Sequence, residues 1–165
     1  MVVEPPGEGF ARVRDVLARA SHPHAPVVLG VPARTAQEAA HALGVSVGQI
    51  AKSVVFRRVA DDVAVLVVTS GDQRVDERVD EQKVAALVGA VGRADAQFVK
   101  QSTGFTIGGV APVGHRGPLL MLLDQTLFRF DELWAAADHP NGVFRLSPTQ
   151  LVQLTGSRTA DVVQS

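Results

Sequence analysis

The chain has 165 residues, 46% of them hydrophobic and none of them cysteine, with 16 lysines and arginines against 17 aspartates and glutamates. At roughly 150 residues per domain this predicts one domain over 1–165, large enough to hold a core without disulfides or structural metal. The lack of cysteine excludes thiolate catalysis, cysteine-ligated zinc and iron–sulfur clusters, a net charge of −1 argues against a general nucleic-acid binder, and the lack of a leader or a long apolar run predicts a cytoplasmic protein.

Phe10, Val13, Leu17 and Ala20 recur at three- and four-residue steps and predict an amphipathic helix, ended by Ser21-His-Pro-His-Ala-Pro26. Thr35-Ala-Gln-Glu38 is a capping-box pattern ahead of a second helix that Gly44 closes, and Ser46-Val-Gly-Gln49 repeats the device for one turn. Ser53-Val-Val-Phe56 and Val63-Ala-Val-Leu-Val-Val-Thr69 predict a hairpin. A helix over 80–88 is predicted to bury Val84, Leu87 and Val88, and the preceding Val75-Asp-Glu-Arg78 and Val79-Asp-Glu-Gln82 form a short echo at its start. Asp95 caps the next helix, with Gly104 after it. A short strand is then expected before Gly108, an apolar strand over 119–123, and another over 143–146. Residues 130–137 are ambiguous by pattern, and Ser147-Pro-Thr-Gln150 opens a last helix. Irregular alternation of helices and strands fits a mixed sheet with packed helices better than a doubly wound parallel fold.

Two features carry candidate chemistry. In Gly108-Gly-Val-Ala-Pro112 adjacent glycines let backbone N–H groups face a ligand, although such a segment is also an ordinary tight connection. No Gly-Lys-Ser/Thr follows it and no helix opens after it, which argues against a P-loop or a dinucleotide fingerprint. Lys52, in Gln49-Ile-Ala-Lys-Ser-Val-Val-Phe56, is either snorkelling from a sheet end or placing a fixed charge in a cleft. His22 and His24 lack the companions of a metal site, the acidic residues of 72–81 read as helix-entrance caps and solvated charge, and neither Ser102 nor Ser147 sits in a nucleophile elbow. Neither a metal nor a cofactor is expected.

Over about residues 33–162 the chain resembles the YbaK/ProX group of aminoacyl-tRNA deacylases, also found as the editing insertion of bacterial prolyl-tRNA synthetase. The resemblance lies in Arg34-Thr-Ala-Gln-Glu-Ala-Ala40, Gln49-Ile-Ala-Lys-Ser-Val-Val-Phe56, Ser70-Gly-Asp-Gln-Arg-Val-Asp76, Thr103-Gly-Phe-Thr-Ile-Gly-Gly-Val-Ala-Pro-Val-Gly-His115, Leu122-Leu-Asp-Gln-Thr-Leu127 and Leu146-Ser-Pro-Thr-Gln-Leu151 with Thr155-Gly156. It implies an α+β fold, a mixed and partly closed sheet of six or seven strands surrounded by helices, with a strand in 130–137 against its helix propensity.

The same resemblance implies a trans-editing hydrolase that removes a small amino acid from mischarged tRNA, that for proline foremost, by ester hydrolysis. Lys52 would place its charge near the ester or the terminal phosphodiester, and the loop of Gly108, Gly109, Val110 and Ala111 would turn N–H groups toward the carbonyl or the ribose. Ser53, Thr103, Pro112 and His115 would bind substrate, and His139 and Asn141 are the polar candidates in a segment that departs from the family pattern. The implied partners are the acceptor end of aminoacyl-tRNA and prolyl-tRNA synthetase, with no membrane and no DNA. The amino acid removed, whether alanine, cysteine, serine or another, stays open, as does a non-catalytic tRNA- or synthetase-binding module of the same fold.

Overall fold

The computed structural model describes residues 7–72 and 81–163. The helices are α1 (Glu8–Arg19), α2 (Ala36–Leu43), α3 (Glu81–Val88), α4 (Ala96–Thr103) and α5 (Pro148–Thr155), with 3-10 turns at Val47–Gln49 and Gln125–Arg129. The strands are β1 (Val27–Val28), β2 (Ile50–Arg58), β3 (Ala64–Ser70), β4 (Val91–Arg93), β5 (Leu119–Asp124), β6 (Leu133–Ala136), β7 (Gly142–Leu146) and β8 (Arg158–Ala160). They form one mixed sheet in the order β1-β7-β6-β2-β3-β5-β8, with β4 laid on β2.

Local signals set most helix ends. The Glu38 amide donates to Thr35 Oγ1 at 3.1 Å and the Thr35 amide to Glu38 Oε1 at 3.2 Å, a reciprocal cap that satisfies two otherwise orphan donors. Ser147 and Gln150 repeat it at 3.0 and 2.8 Å. Strand β3 is buried along all seven of its residues, as an apolar run between two covered faces requires. It pairs antiparallel with β2 and parallel with β5.

Alternation along the central strands divides the core. Ala51, Leu66, Val68, Leu123 and Ala135 face the main cluster, which α1 supplies with Phe10, Val13 and Leu17. On the opposite face Phe56, Val65, Val67 and Leu122 pack on Val84 of α3, while Ile50 and Trp134 pack on the alanines of α2.

The sheet has eight strands rather than six or seven. The surplus comes from β1, β4 and β8, which are two or three residues long and leave no period-two pattern to read. The strand implied within 130–137 is β6, with Leu133 and Ala135 buried and Trp134 turned to the other face. Two expectations are corrected. No short strand leads directly into Gly108, where the chain runs irregularly from Phe105 to the start of β5, and Leu87 is exposed, so Val84 is the fully buried residue of α3. The tandem echo before α3 lies largely in residues 73–80, outside those described.

Candidate functional site

A gap in the sheet, among the described residues, frames the candidate site. On the side of β2 away from β3, Ile50 and Ala51 pair in parallel with Trp134 and Ala135 of β6, and the next partner is β4, whose pairing starts at Phe56 of β2. Residues 52–55 therefore have no neighbouring strand on that side among the described residues. A cavity of about 100 Å³ occupies the gap, walled by α2 residues from one face of the sheet and by Gly108 and Val110 from the other. Lys52 and Ser53, whose side chains leave β2 on opposite faces, both line it.

Lys52 is exposed, and its ammonium makes no hydrogen bond or ion pair among the described residues. The Ser53 hydroxyl is buried and without a partner among them, as is the indole Nε1 of Trp134, which lines the same cavity from the α2 face of the sheet. Buried polar atoms are normally satisfied, so two orphans on one small cavity mark a place where a ligand can supply the missing partner.

A larger cavity of about 530 Å³ adjoins it, sharing Arg34 and Gly108 and adding Thr106, Ile107, Asp138 and His139. Its wall is a ring of three hydrogen bonds. The Gly109 amide donates to Thr106 O at 2.9 Å, the Thr106 amide to Asp138 Oδ1 at 3.0 Å, and the Asp138 amide to Gly109 O at 3.0 Å. Asp138 holds φ +51°, a left-handed conformation that aspartate tolerates better than most residues.

This ring revises the expected roles within the loop. Gly108, not Gly109, has the positive φ, +89°, and a Cβ there would meet open space, so the glycine serves backbone conformation rather than close packing. The Gly109 N–H is committed to Thr106, whereas those of Gly108 and Val110 have no acceptor among the described residues. Ala111 is fully buried in the core and lines neither cavity.

Of the other candidates, His139 lines the larger cavity, its Nδ1 accepting from the Asn141 amide at 2.9 Å and its ring edge-on to Phe10. Thr103 is fully buried and closes α4, donating to Val99 O at 2.7 Å and accepting from the Phe105 amide at 3.0 Å. Asn141 pins the β1 segment through both its side chain and its backbone carbonyl to Leu29. Pro112 and His115 line a separate groove beside β5 and α5, where His115 Nε2 lies 2.7 Å from Ala111 O. Burial holds the His115 pKa below the ordinary histidine value. These four contribute no lining to either cavity of the cleft.

Sequence reasoning missed Arg34, Thr106, Ile107 and Asp138. Arg34 stands just before a capping box and reads as surface charge, and Asp138 sits in an Asp-His-Pro-Asn-Gly run that reads only as a turn. Among the described residues no three histidine, aspartate or glutamate side chains come together in a way that could hold a metal ion.

Residues 31–154 match the family model of the aminoacyl-tRNA editing domain. The chain belongs to that family. This editing domain is 32% identical over 124 residues to the uncharacterized protein YwhH of Bacillus subtilis, covering 75% of the present chain and 76% of that one. Its structure resembles the crystal structure of a protein named as a proposed trans-editing enzyme for prolyl-tRNA synthetase, at 39% identity and a TM-score of 0.87, over 98% of this chain and 100% of that one. A crystal structure of a hypothetical protein is similar at 28% identity and a TM-score of 0.84, over 93% and 99%. No helix among the described residues of the editing domain is long and apolar enough to cross a membrane.

Proposed function

We propose that this editing domain hydrolyses the ester of tRNA mischarged with a small amino acid, with tRNA for proline as the first candidate, acting in trans beside prolyl-tRNA synthetase in the cytoplasm. The observation that carries the reading is the small cavity in the sheet gap. Its 100 Å³ is about three times the ~30 Å³ that one water takes in the liquid, room for a side chain of a few heavy atoms. Its alanine and valine walls suit a small aliphatic group, and the orphan Ser53 hydroxyl supplies a hydrogen bond to the aminoacyl moiety. Synthetase pockets discriminate weakly between small side chains, so a second pocket of restricted size answers a physical need.

The chemistry needs little machinery. Water adds to the ester carbonyl, negative charge develops on the carbonyl oxygen, and the bond to the ribose oxygen breaks to give the free amino acid and a free terminal hydroxyl. The uncommitted Gly108 and Val110 N–H groups and the Lys52 ammonium, all on the same cavity, are the donors for that oxyanion. The vicinal hydroxyl of the substrate relays the proton, accepting one from the attacking water as it gives its own to the departing ribose oxygen, in keeping with an already activated ester.

The test is release of labelled amino acid from a panel of alanyl-, cysteinyl-, seryl- and prolyl-tRNA. One of the mischarged species should be hydrolysed while correctly charged prolyl-tRNA survives. Lys52→Ala should reduce that rate about 100- to 1000-fold, as for loss of one oxyanion donor, with a stability change within ~0.5 kcal/mol because the side chain is exposed. Binding of the charged tRNAs without release of any amino acid would make the protein a tRNA-binding module instead.

A further inference from the structure

We infer that Arg34 is the phosphate anchor of the cleft: its guanidinium holds the phosphodiester on the 5′ side of the terminal nucleotide, while that nucleoside occupies the larger cavity. The inference rests on the reading of the cleft as a site for the aminoacyl end of tRNA, and it assigns the two cations there to different parts of one sugar.

The charge inventory points to Arg34 first. Most cations are held internally, as Arg58 is by Asp61, Arg129 by Asp72, Arg145 by Glu132 and Lys83 by Asp161. Among the described residues, Arg19, Arg34, Lys52 and Arg93 alone have no carboxylate or carbonyl partner, and two of these four line the same cavity. Asp138 lines the larger cavity with Arg34, yet its carboxylate is engaged by the Thr106 amide and makes no ion pair with the guanidinium among the described contacts. A solvated arginine left unpaired on the wall of a cleft is a ready anion site.

Placement separates the roles of the two cations. Arg34 lies on both cavities, with Gly108 as the other shared wall, whereas Lys52 belongs to the small one alone. In an aminoacylated terminal nucleotide the ester and the 5′ phosphodiester hang from opposite sides of one ribose. With the aminoacyl group in the small cavity and the ribose at the seam, Lys52 is beside the ester and Arg34 is beside the phosphate. The side chains suit this division, since a planar fork matches two phosphate oxygens and a compact ammonium matches one developing charge. The larger cavity, at about 530 Å³, is within the range of sites for small organic ligands, and Ile107, 54% exposed on its wall, offers an apolar face to the base.

The experiment compares binding of uncharged CpCpA trinucleotide with binding of adenosine, and hydrolysis of aminoacyl-CpCpA with hydrolysis of 3′-O-aminoacyl-adenosine, which lacks the phosphodiester. Arg34→Ala should weaken CpCpA binding about tenfold and reduce the log–log salt slope by about 0.7, the share of one phosphate in a single strand. In hydrolysis it should raise KM for aminoacyl-CpCpA with kcat retained, and its effect on aminoacyl-adenosine should be at least tenfold smaller. Arg34→Lys should restore part of the binding. Equal losses on both substrates, or CpCpA binding that is absent in the parent or unchanged in the variant, would overturn the assignment. If the parent hydrolyses no aminoacyl ester yet Arg34→Ala still loses CpCpA binding, the deacylase reading fails and the phosphate anchor stands.

Discussion

Asp138 should hold the wall of the larger cavity, and three substitutions separate the means by which it does so. Asp138→Ala removes the acceptor for the Thr106 amide and leaves a Cβ-bearing residue at φ +51°. A left-handed alanine costs up to about 1–2 kcal/mol, and a partly solvated hydrogen bond contributes about 0.5–1.5 kcal/mol, so the variant should lose about 1.5–3.5 kcal/mol. For a chain of this length each kcal/mol lowers Tm by about 2–4 °C, giving a fall of about 3–14 °C. Asp138→Gly relieves the backbone but still loses the bond, and should melt between Asp138→Ala and the parent. Asp138→Asn keeps an acceptor and a tolerance of the left-handed region, and should melt within about 2 °C of the parent. The decisive assay is hydrogen exchange at the Thr106 amide beside the thermal melts. Exchange should be slow in the parent and in Asp138→Asn and fast in the other two, with turnover falling in the same order as the loop loosens. If Asp138→Ala melts within 1 °C of the parent and the Thr106 amide stays protected, the ring of hydrogen bonds does not hold the loop and the argument fails.

Gly108→Val should abolish hydrolysis while lowering stability by about 1–3 kcal/mol, because its strain is conformational and its side chain projects into open space at the shared wall of the cavities. Gly109→Val should act through packing instead, since its Cβ would lie 3.2 Å from Asp138 Oδ1, and structures of the two variants should show a shifted Asp138 only in the second. Thr103→Val leaves the buried Phe105 amide without its acceptor, so Tm should fall by the equivalent of about 1–3 kcal/mol while kcat/KM, measured where the variant is folded, is unchanged. A loss of kcat/KM at full folding would return Thr103 to the site. The His115 pKa is lowered chiefly by burial, opposed by the Ala111 carbonyl and assisted by the Arg12 charge. The unfolded chain therefore binds the proton more readily, and the stability this histidine contributes is full above its unfolded pKa near 6.5 and lost as pH falls below it toward the folded value. Melts at pH 7.5 and 5.5 should show a smaller acid-induced drop in Tm for His115→Gln than for the parent, and an equal drop would remove His115 as a source of acid sensitivity.

What the sequence determined by itself is what neighbours along the chain decide. The caps at Thr35 and Ser147, the left-handed glycines after α2 and α5, and the β2–β3 hairpin involve partners only a few residues apart, so their signals sit in one short window. Lys52 and the 108–112 segment were legible as candidates because unusual residue types stand at recognisable spacing, and their segments also carry the family resemblance. Tertiary structure decided the rest through contacts that no local window contains. Residues 133–136 become a strand because Ala51 and Phe144 offer ladder partners to Ala135, overriding the helix propensity of the alanines. Asp138 joins the wall of the larger cavity by accepting from a backbone amide 32 residues away, while Asn141 bonds across 112 residues to Leu29 and lines neither cavity. The cleft itself is a stretch of one edge of β2, between its pairings with β6 and β4, that no strand among the described residues joins, and a gap has no residue type to announce it.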